Sequence, residues 1–151
     1  MIALESIREK LGVGGAFTES RGTHWLNAEA LGVRKLAQVM NDFVCRFVTI
    51  TAYQLPGAEG FRLEYHWDLE GRLLGFPFQI AGNSIESIAD LSEAADWIER
   101  EVHEEYAIDF TGREYQPLLL RKDNAIGVNL RETGAPAKPA AGVVRQDEVA
   151  K

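Results

Sequence analysis

From Phe61 to Leu69 every odd-numbered residue is apolar and every even-numbered one is polar or charged. Phe61, Leu63, Tyr65, Trp67 and Leu69 alternate with Arg62, Glu64, His66 and Asp68. A period of two is that of a strand with one face in a core and one in water. Gly71 turns it into a further strand, Leu73 to Ile80, where Pro77 lacks a donor and so marks a sheet edge or bulge. Before it, Cys45 to Leu55 is rich in β-branched and aromatic residues and stops at a Pro56-Gly57 turn. Phe17–Ser20 and His24–Ala28 form a hairpin pattern about Arg21-Gly22. Three segments carry a helical period instead. They are Ile2, Leu4, Ile7 and Leu11, stopped by Gly12; Leu36, Val39, Met40 and Phe43 within 31–43; and Ala95, Ile98, Val102 and Tyr106 within Ala94–Ala107, for which Ser92 is the expected N-cap. The order α-β-β-α-β-β-β-α predicts an α+β two-layer sandwich: a mixed or antiparallel sheet of about five strands with helices on one face. After Arg131 the text T-G-A-P-A-K-P-A-A-G has no large apolar side chain. It predicts one domain over 1–131 and a flexible, extended C-terminal tail over 132–151.

Composition narrows the function classes. At 151 residues and 46% hydrophobic content the chain can bury one ordinary core. No apolar run approaches the roughly 20 residues of a membrane span. Met1–Leu11 alternates charged and apolar residues, unlike a signal peptide. A cytoplasmic chain, or one on the cytoplasmic side of a membrane complex, is the expectation. The net charge of −7, with no basic stripe, argues against nucleic acid and against anionic lipid. Cys45 stands alone, so no disulfide, zinc or iron–sulfur ligand set exists. It reads as a small buried apolar residue rather than a nucleophile. His24, His66 and His103 are scattered and read as surface histidines rather than metal ligands. Gly12-Val13-Gly14-Gly15 follows a helix rather than a strand, so it is a helix stop and not a phosphate loop.

The last helix holds the candidate chemistry. Its apolar stripe buries one side. Trp97 points away from that stripe, beside Arg100, Glu101 and Glu104. An aromatic among charges fits a protein–protein contact, where Trp and Arg are enriched. The plainer reading puts Trp97 under another segment of the same chain. Glu101, Glu104 and Glu105 are neighbours at helical spacing. They form a solvated acidic face, an acid–base or hard-cation site, or a contact for arginines on another subunit.

The segment Ser87–Leu120 resembles the thirty-kilodalton subunit family of respiratory NADH dehydrogenase (complex I), which has relatives in group 4 membrane-bound NiFe hydrogenases and formate hydrogenlyase. Ser87-Ile88, Leu91, Ala95, Trp97, Glu99-Arg100-Glu101, Glu104, Tyr106 and Ile108 fall in step with the family pattern. Phe110, Gly112, Arg113, Pro117 and Leu119-Leu120 follow it. Glu93 stands where the family has Pro, Ala107 where it has Gly, Glu105 where it has a hydrophobic residue and Arg113 where it has His. The resemblance implies a cofactor-free, metal-free, non-catalytic subunit of a membrane-associated redox complex. Its partners would be the large hydrogenase-like or quinone-site subunit and the iron–sulfur subunits, on the cytoplasmic side of the inner membrane. It would dock through Trp97, Glu99, Arg100, Glu101, Glu104, Tyr106 and Arg113, with Phe110–Leu120 and the tail laid along the partner. Two alternatives remain: a small metal-dependent enzyme using Glu101, Glu104 and Glu105, and a homo-oligomeric adaptor that pairs through the Trp97 face.

Overall fold

A computed structural model of the chain describes residues 1–56, 60–120 and 123–127. Its elements are α1 (Leu4–Leu11), β1 (Thr18–Ser20), β2 (Thr23–Trp25), α2 (Val33–Asp42), β3 (Arg46–Gln54), β4 (Phe61–Leu69), β5 (Arg72–Ile80), β6 (Ser84–Glu86), α3 (Ala94–Tyr106) and β7 (Asp109–Thr111), with a 3-10 turn at Glu29–Leu31. Five strands form one mixed sheet in the order β1-β2-β5-β4-β3. Only the β2–β5 pair is parallel in this sheet. The expected α+β architecture is present. The expected tail over 132–151 and the domain end at 131 lie outside the described residues.

β4 is the spine of the core. Phe61, Leu63, Tyr65, Trp67 and Leu69 are all buried, as their alternation requires. Trp67 meets the rings of Phe47 on β3 and Phe76 on β5, both edge-on, with centroids 5.4 and 5.7 Å away. Two-residue turns fit the twist of both short hairpins, since each needs positive φ at both turn positions. Arg21-Gly22 and Glu70-Gly71 supply it.

Pro77 falls where β5 has no neighbour on one side. β2 pairs only with Leu73–Gly75. Two residues on from Pro77, the Gln79 amide on that same side donates to Glu29 Oε1 at 2.5 Å. The missing proline donor therefore deprives no ladder partner.

The opposite sheet face differs from expectation at His66, which is buried rather than exposed. Gly75 explains it. It pairs with His66 on one side and Trp25 on the other. With no side chain at Gly75, the Trp25 ring closes on the strand there and meets the His66 ring edge-on at 5.4 Å. A Cβ at Gly75 would stand 2.6 Å from that indole.

Two further strands, β6 and β7, have no counterpart in the expected order. They pair in parallel, Ile85 opposite Phe110, and bracket α3. The Asn83 side chain donates to the Ala107 carbonyl, and the Asn83 carbonyl accepts from the Asp109 amide, so both ends of the α3 segment are tied together. Cys45 is buried as expected, and burial pushes its thiol pKa up to about 11, which keeps it protonated near neutrality.

Candidate docking site on the last helix

α3 begins one residue later than a Ser92 cap requires. Ser92 is already inside a turn, its amide donating to the Ile88 carbonyl, and Glu93 occupies the cap position without a side-chain hydrogen bond. The helix ends at Ala107 in the left-handed region, φ 56°, a position that suits the family's glycine.

The inward stripe holds. Ala95 and Val102 are buried, Ile98 is half-buried, and Tyr106 meets Phe61 of β4 edge-on at 5.9 Å. Trp97, on the other side, is 61% exposed. Its neighbour on that side, Glu101, is half-buried and makes no hydrogen bond or ion pair among the described residues.

The other charged residues sit differently from expectation. Glu99 is fully buried, not outward. It lies four residues after Ala95 and three before Val102, inside the apolar stripe. Its carboxylate accepts from Ser87 Oγ at 2.6 Å, from the Ile88 amide at 2.7 Å and from Arg113 Nη1 at 2.9 Å. α2 fixes the loop that supplies two of these donors. Arg34 grips Asp90 with both guanidinium nitrogens and also donates to the Ser87 carbonyl. Arg113 is mostly buried too, and its second nitrogen donates to Asp96 Oδ1 at 2.5 Å.

Arg100 and Glu104 are likewise turned to the chain's own C-terminal arm. Arg100 donates to the carbonyls of Gln116 and Pro117 and to Asp96. Glu104 is buried, and its two oxygens accept from the amides of Leu118, Leu119 and Leu120 at 2.6, 2.8 and 3.0 Å. The Gly127 amide donates to the Glu104 backbone carbonyl at 2.7 Å. The stretch Phe110–Leu120 is thus held against this chain's own helix. Phe110 itself is buried in β7.

His103, expected on the surface, is buried beneath this arm. Its Nδ1 bonds the Ile108 carbonyl at 2.8 Å, and its ring stacks on Tyr115 with centroids 3.6 Å apart. Arg113 also lies over the Tyr115 ring, 5.0 Å from its centroid. Burial lowers the pKa of His103, against weaker upward pulls from the Ile108 carbonyl, Asp109 and Glu104. Burial likewise lowers that of His66. Both histidines favour the neutral form in the fold. The unfolded chain therefore binds more protons below the ordinary value of 6.5. Stability is expected to be level above that value and to fall as pH drops beneath it. Melting temperatures at pH 7.5 and 5.5 check this, and His103→Gln should reduce the drop. Equal melting temperatures at the two pH values would contradict it.

With Glu104 filled by three amides, Glu101, Glu104 and Glu105 do not form one ligand set. Among the described residues no group of three His, Cys, Asp or Glu is placed to hold a metal ion. No helix among them is long and apolar enough to cross a membrane.

Solved structures that share the fold include the following two. One is a chain of the membrane-bound sulfane sulfur reductase, an archaeal respiratory membrane complex. Its TM-score is 0.69 at 21% identity, over 80% of this chain and 75% of that one. The other is Nqo5, solved as a trypsin-resistant fragment, with a TM-score of 0.56 at 21% identity, over 75% of this chain and 96% of that one. No curated protein sequence matches. The family model of the respiratory-chain NADH dehydrogenase 30 Kd subunit matches residues 26–139, which takes in α2, β3 to β7, α3 and the arm. The chain belongs to that family.

Proposed function

We propose that this chain is a non-catalytic, cofactor-free structural subunit of a membrane-associated redox complex, of the NADH:quinone oxidoreductase or energy-converting hydrogenase type. It braces the large catalytic or quinone-site subunit, while iron–sulfur subunits carry the electrons, and it sits peripherally on the cytoplasmic side of the membrane. Family membership and the neighbour from an archaeal respiratory membrane complex support the setting. One observation carries the docking surface. On a helix where Asp96, Glu99, Arg100 and Glu104 are bonded within the chain, Trp97 is left 61% exposed. Water contact with so large an apolar surface is unfavourable, and a tryptophan at an interface centre commonly contributes 2 kcal/mol or more. Glu101, without an internal partner among the described residues, borders it as a polar contact.

The test is co-purification of the large subunit with the tagged chain from its own membranes. Trp97→Ala is expected to weaken retention by roughly 30-fold, the equivalent of about 2 kcal/mol. Glu101→Ala should weaken it less, and neither should lower the melting temperature by more than a degree or two. Wild-type retention by both variants would contradict the proposal.

A further inference from the structure

The internal bonds of Arg100 and Glu104 have an outward consequence. They fix the arm beside α3 and leave Leu119 on its surface, 58% exposed. A leucine whose amide is clamped by a buried carboxylate cannot turn inward without breaking that clamp. Its position relative to Trp97 follows from helix geometry. Trp97 and Glu104 are seven residues apart, so they lie within about 20° of each other around the axis and about 10 Å apart along it. The arm residues bound to Glu104 therefore continue the line that Trp97 begins. Along the outer border of that line run Glu101 and Glu105, whose side chains make no hydrogen bond or ion pair among the described residues.

We infer that Leu119, displayed by the Glu104 clamp, is a second apolar contact beside Trp97 for the large subunit. The matching surface on that subunit is an apolar socket edged by arginine or lysine, since Glu101 and Glu105, without a partner among the described residues, border the two apolar points. This rests on the docking role proposed for the outer side of α3. Glu104 acts here as a positioning residue. It touches the arm, and the arm touches the partner.

Three variants of the full chain test it: Leu119→Ser, Glu104→Gln, and both together. Amide hydrogen exchange at 118–120, melting temperature and retention of the large subunit are read for each. Leu119→Ser should leave exchange and melting unchanged and weaken retention about tenfold. Glu104→Gln should speed exchange at 118–120 by tenfold or more and weaken retention to a similar degree. The double variant should be no weaker than Glu104→Gln alone, because a released arm no longer presents Leu119. Wild-type retention by Leu119→Ser, or full additivity in the double variant, would overturn the inference. Trp97→Ala, measured alongside, separates the two failures. Loss with Trp97→Ala but not with Leu119→Ser sinks only the arm's role. Retention by Trp97→Ala sinks the docking role of α3 itself.

Discussion

Replacing Glu99 by alanine is expected to lower the unfolding free energy by about 3–5 kcal/mol, the loss typical of breaking a buried ion pair from one side. Three donors lose their acceptor at once: the Ser87 hydroxyl, the Ile88 amide and the Arg113 guanidinium. Ser87 and Ile88 are buried, so water does not readily replace the carboxylate. Arg113 keeps Asp96 on its second nitrogen but is left with a charge facing an apolar gap. The remedy is to remove the other charge as well. Glu99→Leu combined with Arg113→Leu should lose less than the sum of the single changes, because no lone buried ion remains. Urea unfolding of the four chains measures both effects. A loss under about 1 kcal/mol for Glu99→Ala would mean that the carboxylate is not the acceptor these donors depend on.

The second large effect belongs to the core. Trp67→Ala is expected to cost about 3–5 kcal/mol, the range for removing a large aromatic from a packed interior. Trp67 is fully buried at the centre of β4, edge-on to Phe47 and Phe76 and stacked on Tyr65 at 6.1 Å. Its neighbours sit on three paired strands, β3, β4 and β5, whose backbone ladders keep them from closing the gap. Trp67→Phe should cost less, because it keeps a ring against both edge-on partners. Urea midpoints compare the two. Equal losses would mean that a phenyl ring recovers none of the indole's packing, and would contradict the edge-on contacts as the source of the penalty.

The sequence and the structure agree most where a pattern is local. β4 runs from Phe61 to Leu69 as its alternation predicts, and α3 ends one residue before the expected boundary. They part where a partner comes from far along the chain. β6 and β7 are three residues each, too short to show a period, and they exist because α3 carries Asp109–Thr111 back beside Ser84–Glu86. The alternation of its strand predicts an exposed His66, yet Trp25 reaches it across Gly75 from a strand that pairs in parallel. The helical period alone predicts an exposed His103, because Tyr115, which stacks on it, lies twelve residues on. Glu99 is a different case. Its spacing from Ala95 and Val102 places it in the apolar stripe, so its burial is legible in the sequence, whereas the docking role that the family resemblance implies would turn it outward. The Glu-Arg-Glu motif thus divides. Glu99 builds the interior, Arg100 holds the arm, and Glu101 alone stays without an internal bond among the described residues.

The proposed docking role requires α3 to offer Trp97 to another subunit. Oxidative footprinting of the chain's three tryptophans, in the isolated chain and in the assembled complex, reads this directly. The free chain should oxidise readily at Trp97 and hardly at Trp67, which is fully buried. In the complex, Trp97 should become as protected as Trp67. Equal oxidation of Trp97 in both states would show the indole still in water after assembly, and would contradict the account.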